Sequence, residues 1–307
     1  MLQARPQDPI FVPNAMAMGR SQISAFMRYC ETETRRSCAD YSGFEQFSCK
    51  EFRTFWRLFL RWCRLDVEGE IEPACAGDSC ESASFFPGLR LNFVESLLRP
   101  EHESDDLPAI TACHGDRPRE RLTRGELRDR VRSVAAALRD MGVAEGDRVV
   151  AIARNGSEAV VAALATAAVG ATFSSCAPDM GVFSILSRFA PIEPVILMGH
   201  LRSERWDIGA PVAARLAEVA AGLPSLKAIV ALDDGAAPNG VACPIHRLAE
   251  LMKRELATDD GSWRRFAFDH PLFVLFSSGT TGQPKCILHG AGGTLLEHLK
   301  EHRREGS

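Results

Sequence analysis

Near its carboxyl end the chain carries a run of residues that could bind phosphate groups. The run combines four hydroxyl side chains, two glycines and one lysine: Ser277, Ser278, Gly279, Thr280, Thr281, Gly282 and Lys285. Hydroxyl and backbone N–H groups can donate hydrogen bonds to an anion, and glycine lets the backbone approach a ligand closely. The lysine adds a positive charge on a long stem. This composition predicts a site for a nucleotide polyphosphate, although a plain Ser/Gly turn uses the same residue types.

The spacing within the run differs from two common nucleotide-binding motifs. In the P-loop motif the lysine directly follows a glycine and precedes Ser or Thr, whereas Lys285 lies three residues after Gly282. The glycines also lack the G-x-G-x-x-G spacing of dinucleotide-binding folds. A P-loop NTPase or a nicotinamide-dependent domain is therefore disfavoured, although the α/β pattern described next would by itself suggest one.

The segments that must position this run alternate between apolar strands and helices. Strands are predicted at 108–114, 148–153, 171–175, 194–198, 226–232 and 272–276. Helices are predicted after a capping box formed by Thr123 and Glu126, after a cap at Ser157, and at 182–189, 212–221 and 294–302. Near-continuous apolar strands separated by helices predict an α/β fold with mainly parallel sheets that helices cover on both faces.

The first hundred residues have a different pattern. One set of large side chains recurs at helical spacing and predicts a buried helix face: Phe52, Phe55, Trp56, Phe59, Leu60 and Cys63. A loop is predicted at 75–84 and a further helix at 85–99. We therefore predict a helical N-terminal domain at 1–100 and an α/β domain at 101–307.

Composition and charge argue against several functions. The chain has 307 residues, of which 46% are hydrophobic and 25% charged, and its net charge of −4 gives no reason to expect nucleic acid or an anionic membrane as a partner. Acidic residues alternate with the arginines between 117 and 132, which is typical of a solvated helix face. The most apolar segment, 159–173, is shorter than the roughly 20 residues that a membrane span requires.

Cysteine and histidine patterns favour reduced thiols and no metal site. Six of the ten cysteines lie between Cys30 and Cys80, but no two have C-x-x-C spacing. The first 14 residues contain prolines and lack the apolar core of a secretory signal, so we expect a cytoplasmic protein. His298 and His302 have a spacing that could chelate zinc, but the H-E-x-x-H glutamate is missing, and a surface or core role is favoured. We expect a structural role for His270 as well.

The order of residues in SSGTTGQPK, 277–285, resembles the phosphate-binding signature of the adenylate-forming superfamily. This superfamily includes acyl-CoA synthetases, firefly luciferases and the adenylation domains of peptide synthetases. The continuation CILHGAGGTLLEHLK, 286–300, is similar to the acetyl-CoA and acetoacetyl-CoA synthetase branch, and most of all to acetoacetyl-CoA synthetases. Three other stretches agree with that branch: 85–98, 170–182 and 188–197. The aromatic-rich first hundred residues resemble the N-terminal helical cap of that branch.

This resemblance implies a two-step ligase reaction. A carboxylate attacks the α-phosphate of ATP to give an acyl-adenylate and pyrophosphate, and the thiol of CoA then displaces AMP. The implied small-molecule substrates are ATP with Mg²⁺, CoA and a short acyl or 3-oxo acid, with acetoacetate first and acetate as the alternative. The run from Ser277 to Gly282 would hold the β- and γ-phosphates, Lys285 would add charge, and His289 would contact a small polar acid.

The resemblance also implies segments that follow the phosphate-binding run at positions beyond 307. These are the adenine-binding segment, a ribose-binding aspartate, a hinge and the catalytic lysine. The 307 residues therefore resemble about the first half of a family member, no catalytic residue is assigned within them, and we do not expect them to catalyse the reaction alone. Two hypotheses follow: the chain is part of a ligase of lipid and ketone-body metabolism, or it is a non-catalytic remnant that binds nucleotide phosphates weakly at most.

Overall fold

The computed structural model describes residues 14–37, 40–79, 82–99, 104–113, 118–254, 261–277 and 284–305. The helices within these ranges are α1 (Ala15–Arg20), α2 (Gln22–Thr34), α3 (Tyr41–Lys50), α4 (Phe52–Cys63), α5 (Phe93–Leu98), α6 (Arg124–Asp140), α7 (Ser157–Ala168), α8 (Val182–Phe189), α9 (Val212–Ala221), α10 (Leu248–Leu251) and α11 (Ala291–Glu305). The strands are β1 (Glu68–Gly69), β2 (Cys75–Ala76), β3 (Ser84–Phe85), β4 (Leu89–Leu91), β5 (Pro108–Ala112), β6 (Glu120–Thr123), β7 (Arg148–Ile152), β8 (Thr172–Cys176), β9 (Ile196–Gly199), β10 (Ala228–Ala231), β11 (Ile245–Arg247), β12 (Phe266–Ala267), β13 (Pro271–Ser277) and β14 (Lys285–Gly290). In this part of the chain no helix combines the length and apolarity that a membrane span would need.

The chain forms two compact units. Unit 1 comprises the described residues of Met1–Leu65, Ile71–Phe86 and Thr294–Ser307. Unit 2 comprises those of Asp66–Glu70 and Pro87–Gly293. These units are defined by contacts within each of them, and the division into domains at residue 100 stays a prediction.

Unit 1 is organised around an aromatic core. The ring of Phe26 in α2 has four aromatic neighbours with ring centroids 5.1 to 5.8 Å away: Phe44, Phe55, Phe59 and Trp62. The predicted buried face of α4 is confirmed, although it is narrower than expected because Phe52 and Trp56 stay half-buried. The loop predicted at 75–84 is bounded by β2 and β3, which pair with each other as a short antiparallel hairpin.

Unit 2 contains a seven-stranded sheet with the order β11-β10-β9-β7-β8-β13-β14. All neighbouring strands are parallel except β13 and β14. On one face, α8 and α9 pack against the sheet through a buried cluster that includes Val150, Ile152, Ile185, Phe189, Leu197, Leu216 and Val219. The alternate sheet residues are buried as well, namely Val149, Ala151, Ile196 and Met198. Both faces are therefore covered, and the predicted α/β fold is confirmed.

The two predicted helix caps have different outcomes. The capping box of α6 is confirmed: the Glu126 N–H donates to Thr123 Oγ1 at 3.2 Å, and the Thr123 N–H donates to the Glu126 carboxylate at 2.8 Å. The cap predicted at Ser157 is wrong, because Gly156 is the cap residue of α7. Ser157 is buried, and its hydroxyl donates instead to the carboxylate of Glu120 on β6.

The helix predicted at 85–99 is also only partly correct. Strand β4 occupies Leu89–Leu91, with both leucines buried and Arg90 exposed, and only Phe93–Leu98 is helical. Asn92 separates the two elements because its side-chain oxygen accepts from the Val94 N–H at 2.9 Å and caps α5. A three-residue strand is too short to reveal its alternation beside a helical pattern.

Four residues hold the segment before β13 against the turn between α7 and β8, and we call them the Gly170 clamp: Asn92, Gly170, Phe266 and His270. The buried Asn92 amide donates to the backbone carbonyls of Arg264 at 2.7 Å and Ala168 at 3.4 Å. His270 Nε2 lies 2.8 Å from the Gly170 carbonyl oxygen, and its ring stacks on Phe266 with centroids 4.9 Å apart. His270 therefore has the structural contacts that its predicted role requires.

The Gly170 clamp leaves no room for a side chain at its centre. Gly170 has φ +75°, and a Cβ there would lie 2.4 Å from the Phe266 ring. Gly142 has a similar φ of +80°, but a Cβ added there would meet no atom within 4 Å, which makes Gly142 a matched control.

We expect Gly170→Ala to lower the free energy of unfolding much more than Gly142→Ala. Both variants lose about 1 kcal/mol or slightly more of unfolding free energy, because alanine must adopt a left-handed backbone conformation. Only Gly170→Ala also forces overlap in a packed core, which costs about 1 to 3 kcal/mol more. Urea unfolding followed by circular dichroism measures both values, and equal losses would contradict the packing that we describe.

Candidate nucleotide-binding site

Strands β13 and β14 bring the two ends of the predicted phosphate-binding run together. They pair antiparallel, and Ser277 lies opposite Lys285 in the last pair of the ladder, with both residues exposed. Paired residues in such a ladder have Cα atoms about 5 Å apart. The intervening positions 278–283 lie outside the described residues, so the roles of Ser278, Gly279, Thr280, Thr281 and Gly282 remain predictions.

Strand β14 is not among the strands predicted from the sequence. Its apolar stretch, 286–288, is only three residues long and follows a motif rich in turn formers. The structure thus adds that the predicted run is the connection of a β-hairpin rather than a strand-to-helix loop.

The run emerges at the carboxyl edge of the parallel sheet. Strand β13 is parallel to β8, with Phe273 beside Phe173, and β8 is parallel to β7. The loops that follow β7, β8, β9 and β10 therefore leave the sheet at the same edge. Ligands of open α/β sheets bind at this edge, so the hairpin is placed where the fold can form a binding site.

The order of strands also places a topological switch point between β7 and β9. From β7 the chain continues through α7 to β8 on one side, whereas from β9 it continues through α9 to β10 on the other side. Neighbouring strands whose connections leave in opposite directions open a crevice at their carboxyl ends. Arg154 follows β7 and His200 follows β9, and the Arg154 N–H donates to His200 Nδ1 at 3.2 Å.

Arg154 forms an ion pair at this switch point. Its Nη2 donates to the Asp207 carboxylate at 2.6 Å and to the Arg202 carbonyl at 3.0 Å. Its Nη1 is buried and has no hydrogen-bond partner among the described residues, which is costly for a charged group. Arg154 is not among the site residues predicted from the sequence, but its position as the first charged residue after a predicted strand is a usable signal.

The histidines have distinct positions. His289 is half-buried on β14 opposite Phe273 and faces the same side of the sheet as Lys285, about 13 Å away along the strand. Its contact with an acid substrate stays a prediction. His298 and His302 are exposed on α11, with ring centroids 6.4 Å apart. Across the described ranges, no group of three or more His, Cys, Asp or Glu side chains could hold a metal ion.

Cys176 and Cys286, among the described cysteines, are free thiols. Cys176 ends β8 close to the carboxyl edge of the sheet, and burial raises the pKa of its thiol to about 11. It is therefore protonated, and a poor nucleophile, near neutral pH. Cys286, next to Lys285, is exposed.

Comparison with known proteins agrees with this geometry. A sequence profile described as AMP-binding enzyme matches residues 100–304 of the 307. The chain belongs to the AMP-binding enzyme family. Its match to the family covers β13, β14 and the whole predicted phosphate-binding run, which confirms the family resemblance inferred from SSGTTGQPK.

Within the AMP-binding enzymes, the chain is similar to several acetoacetyl-CoA synthetases. It is 39% identical to that of Rhizobium meliloti (strain 1021) over 299 residues, which cover 96% of this chain and 45% of the relative. The acetoacetyl-CoA synthetase of Mus musculus is 33% identical over 94% of this chain and 44% of its own length. The solved acetoacetyl-CoA synthetase of Streptomyces lividans has a TM-score of 0.87 and 34% identity, over 96% of this chain and 45% of that one. The chain thus spans less than half the length of these relatives.

The raised pKa of Cys176 predicts a loss of stability in alkali. Because the pKa is about 11 in the folded state and 9.0 ordinarily, folding favours the protonated thiol. The contribution is fully present below pH 9 and is lost as the pH rises from 9 to 11. We expect Cys176→Val to show a shallower fall in the free energy of unfolding over this window.

Urea unfolding at several pH values between 8 and 11 checks this expectation. Burial also raises the pKa of Cys243 and Tyr29, so part of the fall should persist in the variant. The exposed Cys286 provides the control, and Cys286→Val should behave as the unmodified protein does. The same slope in all three proteins would rule out the proposed effect of Cys176.

Proposed function

We propose that this chain provides the phosphate-binding part of an AMP-forming acetoacetate–CoA ligase. The observation that carries the proposal is the β13–β14 hairpin, which closes SSGTTGQPK at the carboxyl edge of a parallel sheet. Similarity to acetoacetyl-CoA synthetases over almost the whole chain supports acetoacetate as the acid. The proposed reaction activates acetoacetate with ATP and then transfers the acyl group to CoA, as a step of lipid and ketone-body metabolism.

The hairpin contributes to the first step by binding the leaving group. Hydroxyl and N–H donors of the run from Ser277 to Gly282 hold the β- and γ-phosphates, and Lys285 adds a positive charge beside them. Pyrophosphate gains negative charge as the acid attacks the α-phosphate, so donors that are already in place stabilise the transition state. Mg²⁺ enters as part of the MgATP substrate and neutralises phosphate charge.

We also propose the domain assignment and cellular location that the sequence suggests. Residues 1–100 form an N-terminal helical cap, and residues 101–307 belong to the AMP-binding domain, whose family profile begins at residue 100. The free thiols of Cys176 and Cys286 are in keeping with a cytoplasmic location.

A chimaeric ligase tests the proposed activity. This chain is joined to the part of the Rhizobium meliloti relative that lies beyond the matched region, and the purified chimaera is supplied with MgATP, CoA and acetoacetate. We expect acetoacetyl-CoA and AMP in equal amounts, and a kcat/KM for acetoacetate at least about tenfold above that for acetate, since each 1.4 kcal/mol in transition-state binding gives a factor of ten. A folded chimaera that makes no acetoacetyl-CoA would disprove the function, and a preference for acetate would disprove the substrate.

Substitution of Lys285 tests the phosphate site in the chain itself. We expect Lys285→Ala to weaken the binding of MgATP and of magnesium tripolyphosphate roughly 10- to 100-fold, because a charge-assisted hydrogen bond contributes about 1.5 to 3 kcal/mol. Isothermal titration calorimetry measures both affinities. Lys253→Ala, at another exposed lysine of unit 2, is the control and should leave them unchanged. Equal affinities for the unmodified chain, Lys285→Ala and Lys253→Ala would show that Lys285 does not contribute to phosphate binding.

A further inference from the structure

Two histidines of α11 lie one turn apart on the same side of the helix. His298 and His302 have the spacing i, i+4, which makes side chains neighbours on a helix surface. Both residues are exposed, and their rings meet edge to face with centroids 6.4 Å apart. Their exposure excludes the core role that the sequence left open. We call His298 and His302 the histidine pair.

The separation of the two rings suits joint binding of one metal ion. Zinc binds an imidazole nitrogen at about 2.0 to 2.1 Å, so two imidazoles on one tetrahedral ion have ring centroids about 5 Å apart. The rings of the histidine pair are farther apart than this by only roughly 1 Å, and changes of χ1 within a rotamer well can close such a gap. The broad χ2 well of histidine lets each ring turn a nitrogen toward the ion. The helix backbone does not have to move.

The nearest described cation on α11 is held away from the histidine pair. Lys300 Nζ lies 2.7 Å from the Glu297 carboxylate and 3.4 Å from that of Glu301. With 3.6 residues in each turn, position 300 points to the side of the helix opposite positions 298 and 302. The Lys300 ammonium therefore does not occupy the space between the two imidazoles.

The type of ligand selects the class of metal ion. Imidazole suits zinc, nickel and copper ions, whereas magnesium and calcium prefer oxygen ligands. Among the described residues no group of three or more His, Cys, Asp or Glu side chains could hold a metal, so the histidine pair provides two protein ligands and water completes the coordination. This chemistry separates the ion from the Mg²⁺ of MgATP.

We propose that the histidine pair binds a transition-metal dication of the zinc class. The ion joins two successive turns of α11, because both imidazoles reach it only when this part of the chain is helical. A ligand that binds the folded state alone stabilises that state, so zinc stabilises the helix. The inference goes beyond the proposed function and does not depend on it, since neither histidine is assigned to the ligase reaction.

Titration calorimetry with zinc chloride tests the proposal on the full chain. We expect His298→Gln, His302→Gln and the double variant each to lower the affinity for Zn²⁺ at least about tenfold, because the loss of either imidazole destroys the chelate. Glutamine has a higher helix propensity than histidine, so the variants should keep α11. Circular dichroism checks that their helix content is unchanged.

His246→Gln is the matched control, since His246 is a half-buried histidine on β11. It should leave the affinity for zinc unchanged. Thiolates also bind zinc, but all of these proteins carry the same cysteines and share any such background. Magnesium chloride should give no signal that depends on the histidine pair.

Three outcomes would overturn the proposal. The first is a zinc isotherm that is absent, or that is the same in the unmodified chain and the double variant. The second is that each single variant keeps half of the bound zinc at full affinity, which would show two separate one-histidine sites. The third comes from urea unfolding: zinc should raise the midpoint of the unmodified chain more than that of the double variant, and an equal rise would contradict a metal bridge on α11.

Discussion

The hydrogen bond between the His270 ring and the Gly170 carbonyl ties the start of β13 to the turn that precedes β8. Asn92 strengthens this tie by bonding both the end of α7 and the segment before β12. Because β8 and β13 are parallel, a fixed relation at their amino ends also fixes where their carboxyl ends emerge. The position of Ser277, and with it the start of the predicted phosphate-binding run, therefore depends on contacts that lie at the opposite end of the strand.

The carboxyl edge gathers groups that are far apart in the sequence. Arg154, His200 and Ser277 follow or end three different strands, and each strand is held in the sheet by its own buried side chains. The core on both faces thus supports a polar edge, as binding sites of α/β folds require. Arg154 shows the cost of this arrangement, because one of its buried nitrogens has no partner among the described groups.

Much of the fold follows from the sequence, and the exceptions have physical causes. Long apolar strands, the helical spacing of α4 and the capping box at Thr123 give local signals that survive in the structure. Strands β4 and β14 are not predicted, because their apolar stretches are too short to show the alternation of a strand. The local pattern predicts Ser157 as a cap, but a tertiary contact with Glu120 takes its hydroxyl, and no local pattern reveals such a partner. The family signature predicts the phosphate-binding run, whereas the switch point at Arg154 becomes apparent only once the strand order is known.

The pairing of Ser277 with Lys285 has a consequence for the thermodynamics of binding. Bringing the ends of a seven-residue connection together costs conformational entropy. Pairing of β13 with β14 already holds these ends together in the folded protein. A nucleotide bound at the proposed site would therefore not have to bring Ser277 and Lys285 together when it arrives. More of its intrinsic contact energy would remain available as affinity, which is the advantage of preorganisation.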